Sequence, residues 1–75
     1  MSTPELSIVV PLYNEADNVA PLHEAVVRSL EREAIAYELV LVDDGSRDAT
    51  VARARALVEA DARVRLVRLR RNYGQ

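Results

Sequence analysis

Glu38-Leu39-Val40-Leu41-Val42 is apolar at odd and even positions alike after its first residue, and it runs directly into Asp43-Asp44-Gly45-Ser46. A short, β-branched run of this kind reads as a strand buried on both faces, the habit of a parallel sheet. The polar quartet after it reads as a tight turn. Working outward, Leu6-Ser7-Ile8-Val9-Val10-Pro11-Leu12 has the same character. Between the two runs Val19, Leu22, Val26 and Leu30 recur at helical spacing, with Glu24, Arg28, Glu31, Arg32 and His23 on the polar side, which predicts an amphipathic helix. Asp17 or Asn18 as N-cap puts Pro21 in the first turn, where its missing amide hydrogen costs little. The turn after Val42 leads into a second helix near Asp48, capped by Ser46 or Asp48, with Val51, Ala54, Leu57 and Val58 as its apolar stripe. Residues 64–69 make a third strand. The predicted fold class is α/β, a β-α-β-α-β half of a doubly wound parallel sheet.

That order has a topological consequence. Crossovers between parallel strands are right-handed in about 98% of cases, so two crossovers running the same way put both helices on one face of the sheet. The other face stays bare, although the first two strands are apolar on both sides. A chain of 75 residues, 49% hydrophobic but without Trp or Phe, has little core to spare. The expectation is therefore an incomplete sheet: a domain that continues beyond Gln75, or a bare face that meets a second copy.

Charge and composition exclude several classes. There is no cysteine, hence no disulfide framework and no thiolate metal site. Residues 1–50 carry ten acids and three Arg, residues 51–75 seven Arg and two acids, and no cation is Lys. The late Arg residues alternate with Val64, Leu66, Val67 and Leu69, a pattern of an edge strand whose charges oppose edge pairing rather than of a nucleic-acid surface. Met1-Ser2-Thr3-Pro4-Glu5 lacks a basic leader and no long apolar run follows, so neither a signal peptide nor a membrane span is expected, and the location expected is cytoplasmic.

Ligands of open α/β sheets bind outside the carboxyl ends of the strands. Pro11-Leu12-Tyr13-Asn14-Glu15, Asp43-Asp44-Gly45-Ser46 and Arg71-Asn72-Tyr73-Gly74 fall there. The first loop has no glycine, which argues against dinucleotide and P-loop fingerprints. Carboxylates beside an aromatic ring suit a nucleobase instead: they accept from guanine or uracil N–H groups while the ring packs on the base. Glu15, Asp17, Asp43 and Asp44 outnumber Arg47 and Arg71, so a pyrophosphate here needs a divalent cation, Mg²⁺ or Mn²⁺. Each cluster also has a plainer reading. Asp-Asp-Gly-Ser is a common strand-to-helix turn, Tyr13 could wall the core, Glu15 could favour the helix dipole, and a lone His23 on a polar helix face is a solvated one.

Taken together, Val9-Val-Pro-Leu-Tyr-Asn-Glu15, residues 37–50 (Tyr-Glu-Leu-Val-Leu-Val-Asp-Asp-Gly-Ser-Arg-Asp-Ala-Thr) and Arg71-Asn-Tyr-Gly-Gln75 resemble the amino-terminal part of family 2 glycosyltransferases of the Rossmann-like GT-A fold. The ending looks most like the branch that moves a sugar from GDP-mannose or a UDP-sugar to a polyprenyl (dolichyl-type) phosphate. The resemblance implies that Pro11, Tyr13, Glu15, Val42 and Asp44 line a nucleotide-sugar pocket, with Asp44 facing the base and Asp43 shaping the turn; Asn14, Asp43 and Arg71 are secondary candidates. It also implies inversion by direct displacement, an Asp-x-Asp type metal motif and acceptor-side residues beyond Gln75, a parent enzyme associated with a membrane through segments there, and no transfer by these 75 residues alone.

Overall fold

A computed structural model describes residues 4–69. The elements run β1 (Leu6–Leu12), α1 (Ala16–Glu33), β2 (Tyr37–Asp43), α2 (Thr50–Ala60) and β3 (Val64–Arg68). The three strands form one sheet in the order β1-β2-β3, parallel throughout. Register aligns Ile8 with Leu39 and Val64, and Val10 with Leu41 and Leu66. These rows face Val19, Leu22 and Val26 of α1 and Ala54, Leu57 and Val58 of α2 in a single core. Both helices therefore cover the same face, as handedness requires. Leu39 and Leu41, at the centre of the middle strand, are fully buried.

The opposite face is open among the described residues. Val9, the cross-strand neighbour of Val40, is 61% exposed and Val67, opposite Val42, is 44% exposed; Pro11 completes the apolar patch. Its lower end is polar: Ser7 Oγ donates to Glu38, and Arg65 Nε lies 3.4 Å from Glu38 Oε1. The sheet is thus two-sided in composition and one-sided in packing. β3 lies at an edge of the described sheet, with Arg65 and Arg68 exposed.

Two local expectations are corrected. First, α1 starts at Ala16, so Pro21 is its sixth residue rather than part of the first turn, and neither Asp17 nor Asn18 caps it. The helix reaches further back because its first amides are capped by side chains distant in sequence, described below. At that position Pro21 forfeits the bond its N–H would give to the Asp17 carbonyl and crowds that carbonyl with its ring. Second, His23 is not a solvated side chain. Its Nε2 lies 2.9 Å from Asp61 Oδ2, with 19% of the side chain exposed, because α1 lies alongside α2 and its flank meets the α2–β3 junction.

Asp61 is the hub of that junction. Arg63 donates to it from Nε (3.0 Å), from Nη2 (3.2 Å) and from its amide (2.9 Å), while reaching Glu31 of α1 at 3.5 Å and lying 4.5 Å from the centre of the buried Tyr37 ring. Burial alone would raise the Asp61 pKa, but the hydrogen bonds from Arg63 and His23 outweigh it and hold the carboxyl well below the usual carboxylate range. A group depressed in this way adds stability above its unfolded value of 3.8 and loses that contribution as pH falls toward the folded value. Stability should therefore decline from about pH 5 downward. Asp61→Asn should flatten that acid limb and cost about 1–3 kcal/mol at neutral pH, measured by urea unfolding at pH 7 and pH 3. An unchanged acid limb in the variant would contradict the assignment.

Candidate functional site

β1 and β2 are adjacent and parallel, so Leu12 and Asp43 end side by side and the loops after them leave from the same edge. Residues 13–15 make the first loop and residues 44–49 the second. The Asp44 amide donates to the Leu12 carbonyl at 3.0 Å, which starts both loops from one point.

The two aspartates of the second loop have opposite fates. Asp43 is 1% exposed and its Oδ2 accepts from the amides of Gly45 and Ser46, each at 3.1 Å. Gly45 sits at φ 84°, where a side chain would clash, so glycine is required for the chain to fold back onto the carboxylate. Asp43 shapes the turn and is taken up by it. Asp44, the next residue, is exposed at the rim.

The first loop has no glycine, and Asn14 supplies the left-handed residue instead, at φ 51°. That conformation lets it bond the second loop twice. Its amide donates to Ser46 Oγ at 2.8 Å, and its Oδ1 accepts from the Arg47 amide at 2.7 Å. Next along the chain, the Glu15 amide donates to Thr50 Oγ1 at 2.7 Å and the Ala16 amide to Asp48 Oδ2 at a long 3.4 Å. Asp48 Oδ1 in turn accepts from the Thr50 amide at 2.9 Å and from the Thr50 hydroxyl. The hydroxyl and amide of Thr50 lower the Asp48 pKa by stabilising its charged form. The N-cap position of α2 belongs to Ala49 rather than to either expected residue; Asp48, one residue earlier, nevertheless accepts from the first amide of the helix. Ser46 does not; its hydroxyl is turned to the first loop.

Among the expected site residues, Tyr13 (53% exposed), the half-buried Glu15 and the exposed Asp44 stand on these joined loops. Pro11 and Val42 are register partners on the open face just below them. The Glu15 carboxylate turns back on its own loop, accepting weakly from the Tyr13 amide at 3.4 Å. Arg71 lies outside the described residues. Thr50, fully buried, is the residue that pattern reading passed over. Its signal was a single polar side chain at the head of the spacing that continues through Ala54, Leu57 and Val58. No three His, Cys, Asp or Glu side chains among the described residues gather as a metal ion would require. Nor is any described helix long and apolar enough to cross a membrane.

Residues 7–75 match the profile described as glycosyl transferase family 2. The chain is 47% identical over 72 residues to a dodecaprenyl-phosphate galacturonate synthase from Rhizobium johnstonii, covering 95% of this chain and 21% of that protein. It is 42% identical over 80 residues to an undecaprenyl-phosphate 4-deoxy-4-formamido-L-arabinose transferase from Sodalis glossinidius, covering the whole of this chain and 24% of the other. Among solved structures it is similar to a mannosyltransferase from Pyrobaculum calidifontis in complex with GDP-Man and Mn²⁺, with a TM-score of 0.58 and 28% identity over 97% of this chain and 22% of that one. The chain spans between a fifth and a quarter of the length of these proteins.

Proposed function

This chain belongs to glycosyl transferase family 2, and from that premise we propose that it forms the nucleotide-facing front of a donor site in an enzyme that transfers a sugar from a GDP- or UDP-linked donor to a polyprenyl phosphate. The observation that carries the reading is the pair of cross-linked loops that brings Tyr13, Glu15 and Asp44 to one rim above Pro11 and Val42. Asp44 accepts hydrogen bonds from the base, the Tyr13 ring packs against it, and Pro11 and Val42 give the pocket an apolar floor. The polyprenyl acceptor rests on the names of the relatives, one a dodecaprenyl-phosphate galacturonate synthase and another an undecaprenyl-phosphate 4-deoxy-4-formamido-L-arabinose transferase.

The reaction proposed is a direct displacement. An acceptor phosphate oxygen forms the new bond to the anomeric carbon as the bond to the nucleoside diphosphate breaks, so the electron pair leaves with the diphosphate and the centre inverts. An anionic acceptor has less need of a general base than a sugar hydroxyl. Mg²⁺ or Mn²⁺ belongs to the proposal through the Mn²⁺ of the Pyrobaculum protein, with its ligands outside residues 4–69. The domain is proposed to extend well past these residues, which alone bind donor without transferring sugar.

Calorimetric titration of the chain with GDP and UDP, with and without Mn²⁺, tests the donor site. We expect weak binding that depends on the base and falls at least tenfold in Asp44→Ala. A tight site indifferent to that change would overturn the assignment. The open apolar face favours a second reading, in which the isolated chain is a module that self-associates through Val9, Val40, Val42 and Val67. Sedimentation of the same samples separates the two: concentration-dependent dimers without nucleotide binding favour the module, and a dispersed monomer that binds nucleotide favours the donor site.

A further inference from the structure

Asp43 and Thr50 are the two buried polar side chains of the core among the described residues, and both are turned to loop amides at the same edge of the sheet. A buried polar group is costly unless it is hydrogen-bonded, so residues of this type persist where their bonds organise something. Asp43 holds the second loop. Thr50 belongs to α2, yet it accepts from Glu15 at the start of α1, a helix that has no side-chain cap of its own. Three successive amides, from Asn14 and Glu15 of the first loop and Ala16 at the head of α1, are taken by Ser46, Thr50 and Asp48.

We propose that Thr50, locked by Asp48, is a positioning residue. It caps α1 from the neighbouring helix and so sets where Tyr13 and Glu15 stand relative to Asp44. The β-branched side chain is stiff at χ1, and its hydroxyl donates to Asp48, which leaves the oxygen lone pairs aimed at the Glu15 amide. Because α1 begins at the next residue, the cap couples loop placement to the packing of a whole helix against the sheet. The consequence for nucleotide affinity rests on the donor-site reading; the geometric role does not.

The test uses two variants of the chain followed by NMR. Thr50→Val keeps the shape and deletes the acceptor, and Thr50→Ser restores it. In Thr50→Val, exchange of the Glu15 and Ala16 amides should rise at least tenfold while Leu39 and Leu41 in the central strand keep theirs, and base-dependent GDP or UDP affinity should fall at least fivefold. Thr50→Ser should recover both. Should Thr50→Val not fold, Asn14→Gly offers an exposed alternative: it keeps the positive φ, removes the acceptor for the Arg47 amide, and should speed exchange at Arg47 while lowering nucleotide affinity. Exchange that rises equally throughout the sheet, or a loosened loop that leaves nucleotide affinity unchanged, overturns the positioning role. A wild-type chain that binds neither nucleotide while Glu15 exchange responds as stated supports the cap and overturns the donor-site reading instead.

Discussion

Leu41→Ala is expected to unfold most of this chain at moderate urea concentration. Leu41 has no exposed surface and stands on the helix-facing row between Val10 and Leu66, at the centre of the only strand with a neighbour on each side among the described residues. Truncating a buried leucine costs about 2–5 kcal/mol, transfer and cavity terms together. Two helices and three strands over one core leave little room for the cavity to collapse. At roughly 0.05–0.15 kcal/mol per residue, a 75-residue chain has about 4–11 kcal/mol in all. The substitution should therefore remove about a fifth of the stability at the least and most of it at the upper end, read as a lower urea midpoint with an unchanged slope. Val9→Ala, on the open face, is the control and should change the midpoint little; comparable losses at both positions would show that the two faces are equally packed.

The second large effect is expected at Asp43. Its Oδ2 is the shared acceptor for the amides of Gly45 and Ser46, and hydrogen bonds to a charged group contribute about 1.5–3 kcal/mol. Asp43→Ala leaves both donors without that partner and releases the turn from which Asp44 and Ser46 are presented. We expect a loss of about 2–4 kcal/mol together with faster amide exchange across 44–48. Asp43→Asn retains an acceptor without the charge and should lose about half as much. The contrast with Asp44→Ala is the useful one, because that exposed position should alter nucleotide binding with little change in the urea midpoint. Equal destabilisation by the two alanine variants would contradict the division of labour between neighbouring aspartates.

That division was only half legible in the sequence. Asp43-Asp44-Gly45-Ser46 announces a turn, and period-two counting from Leu39 and Leu41 puts Asp43 on the same side of the strand as those core residues. Turn chemistry expects an Asp to take amides two and three residues on, as Asp43 does with Gly45 and Ser46, but it does not say how deeply that carboxylate will be buried. The helix starts show the same limit more sharply. Capping rules look within a few residues of the helix, and they pointed to Asp17 or Asn18; the amides at the start of α1 are met instead by Thr50 and Asp48, more than thirty positions away. His23 misled for a related reason, since a helical wheel separates polar from apolar faces but does not show that a second helix will lie along the boundary and bring Asp61 within 2.9 Å.

Strand and helix identity, their order along the chain and the parallel sheet were available from residue patterns, because periodicity and turn chemistry are properties of near neighbours; given two crossovers running the same way, handedness then puts both helices on one face and leaves the other exposed. The family resemblance rested on the same short stretches of sequence. The tertiary structure decided which polar side chains meet: Asn14 with Ser46 and Arg47, Thr50 with Glu15, Asp61 with His23. Hydrogen bonds require donor and acceptor within about 3 Å, and only the packing of α1 against α2 and the parallel register of β1 and β2 bring such distant residues that close.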